Sequence, residues 1–163
     1  MKKSKVPVVF GEHTRPTKPL NADSLKTTGQ PFANYGITVG ETIEFPDTWD
    51  DVDAREQPIR EGSTNMQRIL LVDRIDKNGN RKASWLSLGI LNRTDYNREP
   101  TCAFCAEMNE LESDHARIEK LLGKRITCKS MIKKEFQAFD RQTGLRLVGQ
   151  TDTRETPVIT YAE

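Results

Sequence analysis

The spacing of apolar residues changes several times along the chain, and each change predicts a new element. In residues 34–46, Val39, Ile43 and Phe45 share one parity, and mainly polar residues share the other. This period of two is typical of a strand with one buried face. Pro46 is expected to end the strand, because proline lacks the backbone N–H that a sheet requires.

A β-hairpin is predicted in residues 66–93, where two apolar runs flank a short polar segment. That segment contains Asn78 and Gly79, a pair that favours the positive φ angles of a type I′ turn. Leu70 and Leu71 fall on opposite faces of the first strand, so both faces are partly apolar. This pattern indicates a central strand of a barrel or sandwich.

The period changes to that of a helix in residues 100–123. Phe104, Met108 and Leu111 are spaced four and then three residues apart, which places them on one helical face. A second helix is expected to follow, with a polar residue capping its start and a glycine at its end. The expected cap residues are Ser113 or Asp114 at the start and Gly123 at the end.

The last part of the chain returns to an alternating pattern. Residues 124–140 are expected to form a strand, followed by a turn at 140–144 and two short strands at 145–149 and 157–161. Five or six strands with one helical insertion predict a mostly β protein of the α+β type. We expect a small, partly closed OB-like β-barrel or sandwich.

The domain boundaries follow from composition. Residues 1–35 contain four prolines and two glycines and keep no period, so they are predicted to be an extended basic N-terminal arm. Residues 36–163 are predicted to form the barrel-like domain. Within it, residues 47–65 are expected to be an acidic loop and residues 100–123 the helical insertion.

Composition and charge exclude several classes of protein. The formal net charge of +1 lacks the basic excess of a dedicated nucleic-acid binder. No apolar run approaches the length of a membrane span, and three cysteines do not suit a secreted disulfide framework. We therefore expect a protein that is made in the reducing cytoplasm and has no membrane partner. It would either stay in the cytoplasm or be packaged into a virion.

The charge is segregated along the chain. Residues 1–36 carry a net charge of +4, and residues 37–66 carry a net charge of −6. Complementary patches of this kind steer subunits together and fix their register. The candidate partner-binding residues are Lys2, Lys3, Lys5, Val8, Phe10, Arg15 and Lys18 in the arm, with Trp49, Asp50, Asp51 and Asp53 in the acidic loop.

The segment CAFC raises the question of a metal or redox site. The spacing of Cys102 and Cys105 suits half of a zinc site, for which His115 and Cys128 are the other available ligands. These two lie far apart in sequence, and Cys128 has the parity of a buried strand residue. We therefore expect no metal and no cofactor, and interpret both CAFC cysteines as packing residues.

Nucleophilic and phosphate-binding chemistry also lacks its usual sequence patterns. Neither histidine lies beside a nucleophile motif, and no glycine-rich phosphate loop is present. The acidic segment lacks the glycine and the final glutamate of a calcium-binding EF-hand loop. The chain is therefore predicted not to be an enzyme.

Binding to single-stranded nucleic acid is the alternative function. A small open barrel can bind single strands through aromatic side chains and a basic groove. Trp85 could equally be a core residue, because its neighbours are apolar. The candidate residues are Lys77, Arg81, Lys82 and Trp85 on the first hairpin, with Lys129, Lys133, Lys134 and Phe136 on the second.

In outline, residues 36–161 together with the basic arm resemble small β-barrel proteins encoded by bacteriophages and mobile elements. The resemblance implies either a virion component or a single-strand-binding protein. We expect a non-enzymatic assembly subunit, such as an auxiliary capsid protein of a bacteriophage. It would be oligomeric in its assembly and would dock on neighbouring protein subunits through its arm and charged loops.

Overall fold

The computed structural model describes residues 35–59, 61–62 and 64–162. In these residues the chain forms six strands and two α-helices. The strands are β1 (Thr42–Glu44), β2 (Ala54–Pro58), β3 (Met66–Ile75), β4 (Arg81–Ser87), β5 (Arg125–Phe139) and β6 (Arg146–Tyr161), and the helices are α1 (Ala103–Asn109) and α2 (Asp114–Leu121).

All six strands belong to one antiparallel sheet, with β3 at its centre. One edge of β3 pairs with β4, and the other edge pairs first with β2 and then with β1. The sheet continues from β1 to β5 and then to β6. The predicted mostly β architecture with a helical insertion is therefore confirmed, and so is the central position of the first hairpin strand.

The sheet is not closed into a barrel. No pairing joins the outer strands β4 and β6 in the part of the chain that the structure describes. The helices α1 and α2 cover the core face instead, and their apolar residues Phe104, Met108, Ile118 and Leu121 join the main cluster of buried side chains. Because helices already exclude water from that face, the core does not require strand closure.

The predicted hairpin β3–β4 is present, but its turn is not type I′. Gly79 has a positive φ of 89°, whereas Asn78 does not adopt a positive φ. The carboxylate of Asp76 accepts hydrogen bonds from the backbone N–H groups of Asn78 at 2.8 Å and Asn80 at 2.9 Å. This local hydrogen bonding closes a five-residue connection, so one left-handed residue is sufficient.

The two helices form where the sequence predicts them. Ser113 is the N-cap of α2, and its hydroxyl accepts a hydrogen bond from the backbone N–H of Ala116 at 3.1 Å. The buried Arg117 donates to the carbonyl oxygens of Met108 at 2.9 Å and Leu111 at 2.7 Å. Arg117 therefore adds a second partner to the Met108 carbonyl, which also accepts from the Leu111 N–H at 3.1 Å, and holds the segment after α1 through the Leu111 carbonyl.

The segment predicted as an acidic loop is partly regular structure. It contains a 3₁₀ turn (Trp49–Asp51) and the strand β2, which pairs with the first half of β3. The β2 sequence AREQP is polar and lacks an alternating apolar pattern, so periodicity alone favoured a loop.

The strands β5 and β6 form a long hairpin, in which the two short strands predicted near the C-terminus are one continuous strand. The strands stay paired from Ile126 and Tyr161 near the core to Phe139 and Arg146 near the turn. The register shifts twice, between Cys128 and Ser130 and between Gln137 and Phe139. Bulges of this kind bend and twist a ribbon locally.

Candidate protein-docking site

The two cysteines of CAFC flank the start of α1. Cys102 is half-buried, and Cys105 is buried with its sulfur 3.4 Å from Thr101 Oγ1. Contact between the two thiols lowers the pKa of Cys102, and the backbone N–H of Ile159 lowers it further. The same contact, together with burial, raises the pKa of Cys105. Cys102 is therefore the more reactive of the pair.

The four residues considered as zinc ligands do not converge. His115 lies on α2 and stacks on Trp49, with ring centroids 4.5 Å apart and planes 11° from parallel. Cys128 is a buried residue of β5. Among the described residues, no three side chains of the Cys, His, Asp or Glu type are placed to hold a metal ion.

Iodoacetamide is expected to alkylate Cys102 before Cys105 and Cys128. Only Cys102 is partly exposed, and its lowered pKa keeps the thiolate populated below the usual thiol pKa of about 8.5. When the pH is lowered from 8 to 6, the alkylation rate of a free cysteine falls roughly 50- to 100-fold. The alkylation rate of Cys102 should therefore fall far less over the same range. Peptide mass spectrometry at both pH values measures this.

Cys102→Ser is the control, and it should leave the folded protein nearly unreactive because the other two thiols are buried and have raised pKa values. First modification at Cys105 or Cys128 would contradict the assignment.

The two aromatic residues expected to stack on nucleic-acid bases are buried. Trp85 is 4% exposed and packs with Tyr35, while the guanidinium of Arg55 lies 5.4 Å from its ring centroid. Phe136 is 9% exposed and lies beneath the guanidinium of Arg93 at 4.5 Å. Neither ring offers the free face that base stacking requires. The nucleic-acid role of Trp85 and Phe136 stays a prediction, and the burial of both rings weighs against it.

The basic residues of that interpretation occupy two separate regions. One group belongs to the β3–β4 hairpin and the other to β5. Arg81 is paired with Glu44 and with Asp73, the latter at 3.1 Å. Lys77, Lys82, Lys129 and Lys133 are exposed, and Lys134 is half-buried.

The acidic residues predicted to bind a partner have different environments. Asp53 is buried, and its carboxylate accepts hydrogen bonds from Arg55 at 2.8 and 3.2 Å. Trp49 is half-buried, whereas Asp50 and Asp51 are exposed. Asp53 therefore belongs to the interior, and the contact of Trp49, Asp50 and Asp51 with a partner stays a prediction.

An acid-rimmed pocket of about 320 Å³ opens on the face of the sheet near Asp51. Its apolar wall comes from β1, β3, β4 and the residues that follow β1, and four carboxylates surround it. We call it the acidic pocket. It is lined by Phe45, Pro46, Leu71, Val72 and Ala83, with Glu44, Asp47, Asp51 and Asp73 at the rim. Arg81 pairs with Glu44 and Asp73, so among the described lining residues and their ion-pair partners negative charge is in excess.

The turn end of the β5–β6 hairpin exposes three large apolar side chains. Phe139 is 47% exposed, Leu145 67% and Val148 85%. Residues 139–148 are called the hairpin end below. Monomeric proteins seldom expose large contiguous apolar patches, so three exposed apolar side chains within ten residues make this end of the hairpin a candidate interaction surface.

The hairpin end also carries positive charge. Arg141 and Arg146 are both exposed. The carboxylate of Asp140 accepts hydrogen bonds from the backbone N–H groups of Gln142 at 2.8 Å and Thr143 at 2.9 Å. These hydrogen bonds lower the pKa of Asp140 and keep its carboxylate ionised, so residues 139–148 carry a net charge of +1 from two arginines and one aspartate.

A side chain fixes the bulge next to the hairpin end. The Gln137 amide nitrogen donates to the carbonyl oxygens of Leu147 at 2.9 Å and Gln150 at 3.4 Å. Gly149 has a φ of 80°, which residues other than glycine seldom adopt. These contacts keep residues 147–150 out of the regular ladder and hold Val148 toward solvent.

The sequence patterns did not predict the hairpin end or two of the rim residues of the acidic pocket. Glu44 and Asp73 lie on strands whose partners cannot be read from spacing, so their convergence with Asp51 was not predictable. The run LRLVG did contain a signal, because its apolar residues lie on both faces of a strand beside a polar turn.

The candidate residues of the N-terminal arm lie outside the described residues. They are Lys2, Lys3, Lys5, Val8, Phe10, Arg15 and Lys18. Their predicted contact with a partner stays a prediction.

Neither helix in the described part of the chain has the length and apolar character needed to cross a lipid bilayer. Comparison of the sequence with protein-family models and with curated proteins, and of the fold with solved structures, gives no match.

Proposed function

We propose that the chain is a non-enzymatic assembly subunit that binds a protein partner through its hairpin end. The observation that carries the proposal is the exposure of Phe139, Leu145 and Val148 together on one hairpin turn. Burial of apolar side chains is the main favourable term in most protein association. Two exposed arginines beside them match the usual composition of interfaces, in which arginine is enriched.

The shape of the hairpin end favours a protein partner over a small molecule. Small-molecule sites are concave and enclose most of their ligand. The hairpin end is a convex turn, and its side chains are therefore suited to enter a groove on another protein. The first part of β6, residues 148–155, is exposed along its whole length, so a partner that binds the hairpin end can also contact this strand.

Single-stranded nucleic acid is the alternative partner, and the electrostatics of the sheet weigh against it. The acidic pocket places four carboxylates beside β3 and β4, on the same sheet as Trp85 and the basic residues of the first hairpin. A polyanion would be repelled there. Trp85 and Phe136 are buried, so neither ring is available to stack on a nucleic-acid base.

The finer form of the proposal is an auxiliary capsid protein of a bacteriophage that joins a capsid lattice. In that setting the basic arm would form a second contact, with exposed acidic residues such as Asp50 and Asp51 of a neighbouring subunit. Two contacts on one chain raise the overall affinity for a lattice, because the second contact forms at a high effective concentration.

The proposal is tested by site-specific photocrosslinking in cells of the source organism that produce the full chain. A photoreactive phenylalanine replaces Val148 in one variant and Lys129 in the control variant. Both positions are exposed, but Lys129 lies outside the hairpin end and outside the lining of the acidic pocket. We expect a discrete protein crosslink from position 148 and none from position 129.

The crosslinked product identifies the partner by mass spectrometry. A crosslink from position 148 to protein supports the proposal, whichever protein it is. Crosslinks to nucleic acid alone, or equal crosslinking from both positions, would overturn it.

A further inference from the structure

We infer that the hairpin end of one copy docks in the acidic pocket of a second copy, so that the chain associates head to tail with itself. The inference rests on the proposed function and names its partner. The two surfaces lie on different parts of the sheet, because the pocket is formed by β1, β3 and β4 and the hairpin by β5 and β6.

The charges of the two surfaces are complementary. Arg141 and Arg146 flank the apolar side chains of the hairpin end. Asp47 and Asp51 are exposed on the rim of the pocket. Opposite charges placed around an apolar contact steer the encounter and fix the orientation of the two partners.

The apolar parts are also complementary. The pocket wall includes Leu71, which is half-buried, and Ala83, which is exposed. The hairpin end supplies Leu145 and Val148, which are the two most exposed large apolar residues of the described chain. A volume of about 320 Å³ is sufficient to admit such a side chain. Docking would therefore remove apolar surface from water on both copies.

The contact joins two different surfaces, so it is heterologous. Contacts of this kind produce rings when the rotation between copies closes and open filaments when it does not. After two copies bind, one keeps a free hairpin end and the other keeps a free pocket. A lattice or ring can grow from this arrangement, which suits an assembly subunit.

The test is sedimentation velocity of the purified full chain over a range of concentrations. The wild-type sedimentation coefficient should rise with concentration, and the rise should weaken at high salt because exposed charges are screened. The hairpin variant carries Arg141→Glu and Arg146→Glu, and the pocket variant carries Asp47→Arg and Asp51→Arg. Each variant alone should lose at least about tenfold in association constant, because like charges then face each other.

Mixing the two variants gives the sharpest result. The unchanged hairpin end of the pocket variant then meets the unchanged pocket of the hairpin variant, and the two reversed surfaces also match. Association should return in the mixture and in a chain that carries all four substitutions. The control variant Lys129→Glu with Lys133→Glu changes two exposed charges elsewhere on β5 and should associate like the wild type.

The outcomes separate this inference from the proposed function. A wild-type chain that stays monomeric at all concentrations, or a mixture that does not recover, overturns the self-docking inference. Crosslinking from position 148 to a different protein would in that case leave the proposed function intact. If position 148 also gives no protein crosslink, both fail.

Discussion

The substitution Asp53→Asn is expected to lower the free energy of unfolding by about 3–5 kcal/mol. Asp53 and Arg55 form a bidentate ion pair in the interior, with side-chain exposures of 9% and 8%. Asparagine keeps the shape of aspartate but removes its charge, so the guanidinium of Arg55 is left buried without a counter-charge. Urea unfolding followed by circular dichroism measures the change.

Two further variants make this result specific. Asp51→Asn removes a charge from the same segment at an exposed position and should change stability by no more than about 0.5 kcal/mol. Arg55→Met in the Asp53→Asn background should recover part of the loss, because an apolar side chain replaces the unpaired cation. Equal stabilities of the Asp53→Asn and Asp51→Asn variants would contradict the claim that the buried ion pair stabilises the fold.

Trp85→Ala is expected to lower the free energy of unfolding by about 3–5 kcal/mol, which is typical of removing a buried aromatic side chain. Trp85 packs with Tyr35 and Ile69 on the face of the sheet opposite to the main core. Its removal leaves a cavity and also exposes the guanidinium of Arg55. Thermal and urea unfolding give the size of the effect.

Phe139→Ala is the matched control for this substitution, because Phe139 is an aromatic residue that is 47% exposed. Its stability should stay within about 0.5 kcal/mol of the wild type. A Trp85→Ala variant of normal stability that had lost binding to a labelled single-stranded oligonucleotide would contradict the core assignment. That result would restore the nucleic-acid interpretation.

The elements that local sequence predicts well are those whose signals lie within a few residues. The pair Asn78 and Gly79 marks the β3–β4 hairpin, although the Asp76 carboxylate decides its turn type. Ser113 marks the start of α2 because its hydroxyl meets a nearby backbone N–H. Each of these interactions spans at most four residues, so a single sequence is sufficient to find them.

The features that were missed depend on pairing between distant segments. The polar strand β2 is a strand because β3 offers it an edge, and its own sequence contains no apolar alternation. The sheet stays open because two helices cover its core face, which strand patterns alone do not reveal. Local periodicity contains no information about such long-range partners.

In the candidate docking surfaces, too, local features could be predicted from the sequence and features that depend on distant residues could not. The exposed positions Asp50 and Asp51 could be predicted from composition, whereas the burial of Asp53 could not, because it depends on Arg55 and the packing around it. The hairpin end is apolar in sequence, and apolar residues are usually buried. Only the absence of neighbouring elements in the described structure makes Leu145 and Val148 exposed.

The most direct test of the central claim is whether loss of the apolar hairpin end removes the chain from its assembly. The variant carries Phe139→Ser, Leu145→Ser and Val148→Ser, all at exposed positions. The measurement is the fraction of the full chain that co-sediments with large complexes from lysates of the source organism. We expect the wild type to co-sediment and the variant to remain in the light fractions, with melting temperatures that are nearly equal. A folded variant that still co-sediments like the wild type would contradict the proposal that the hairpin end is the docking surface.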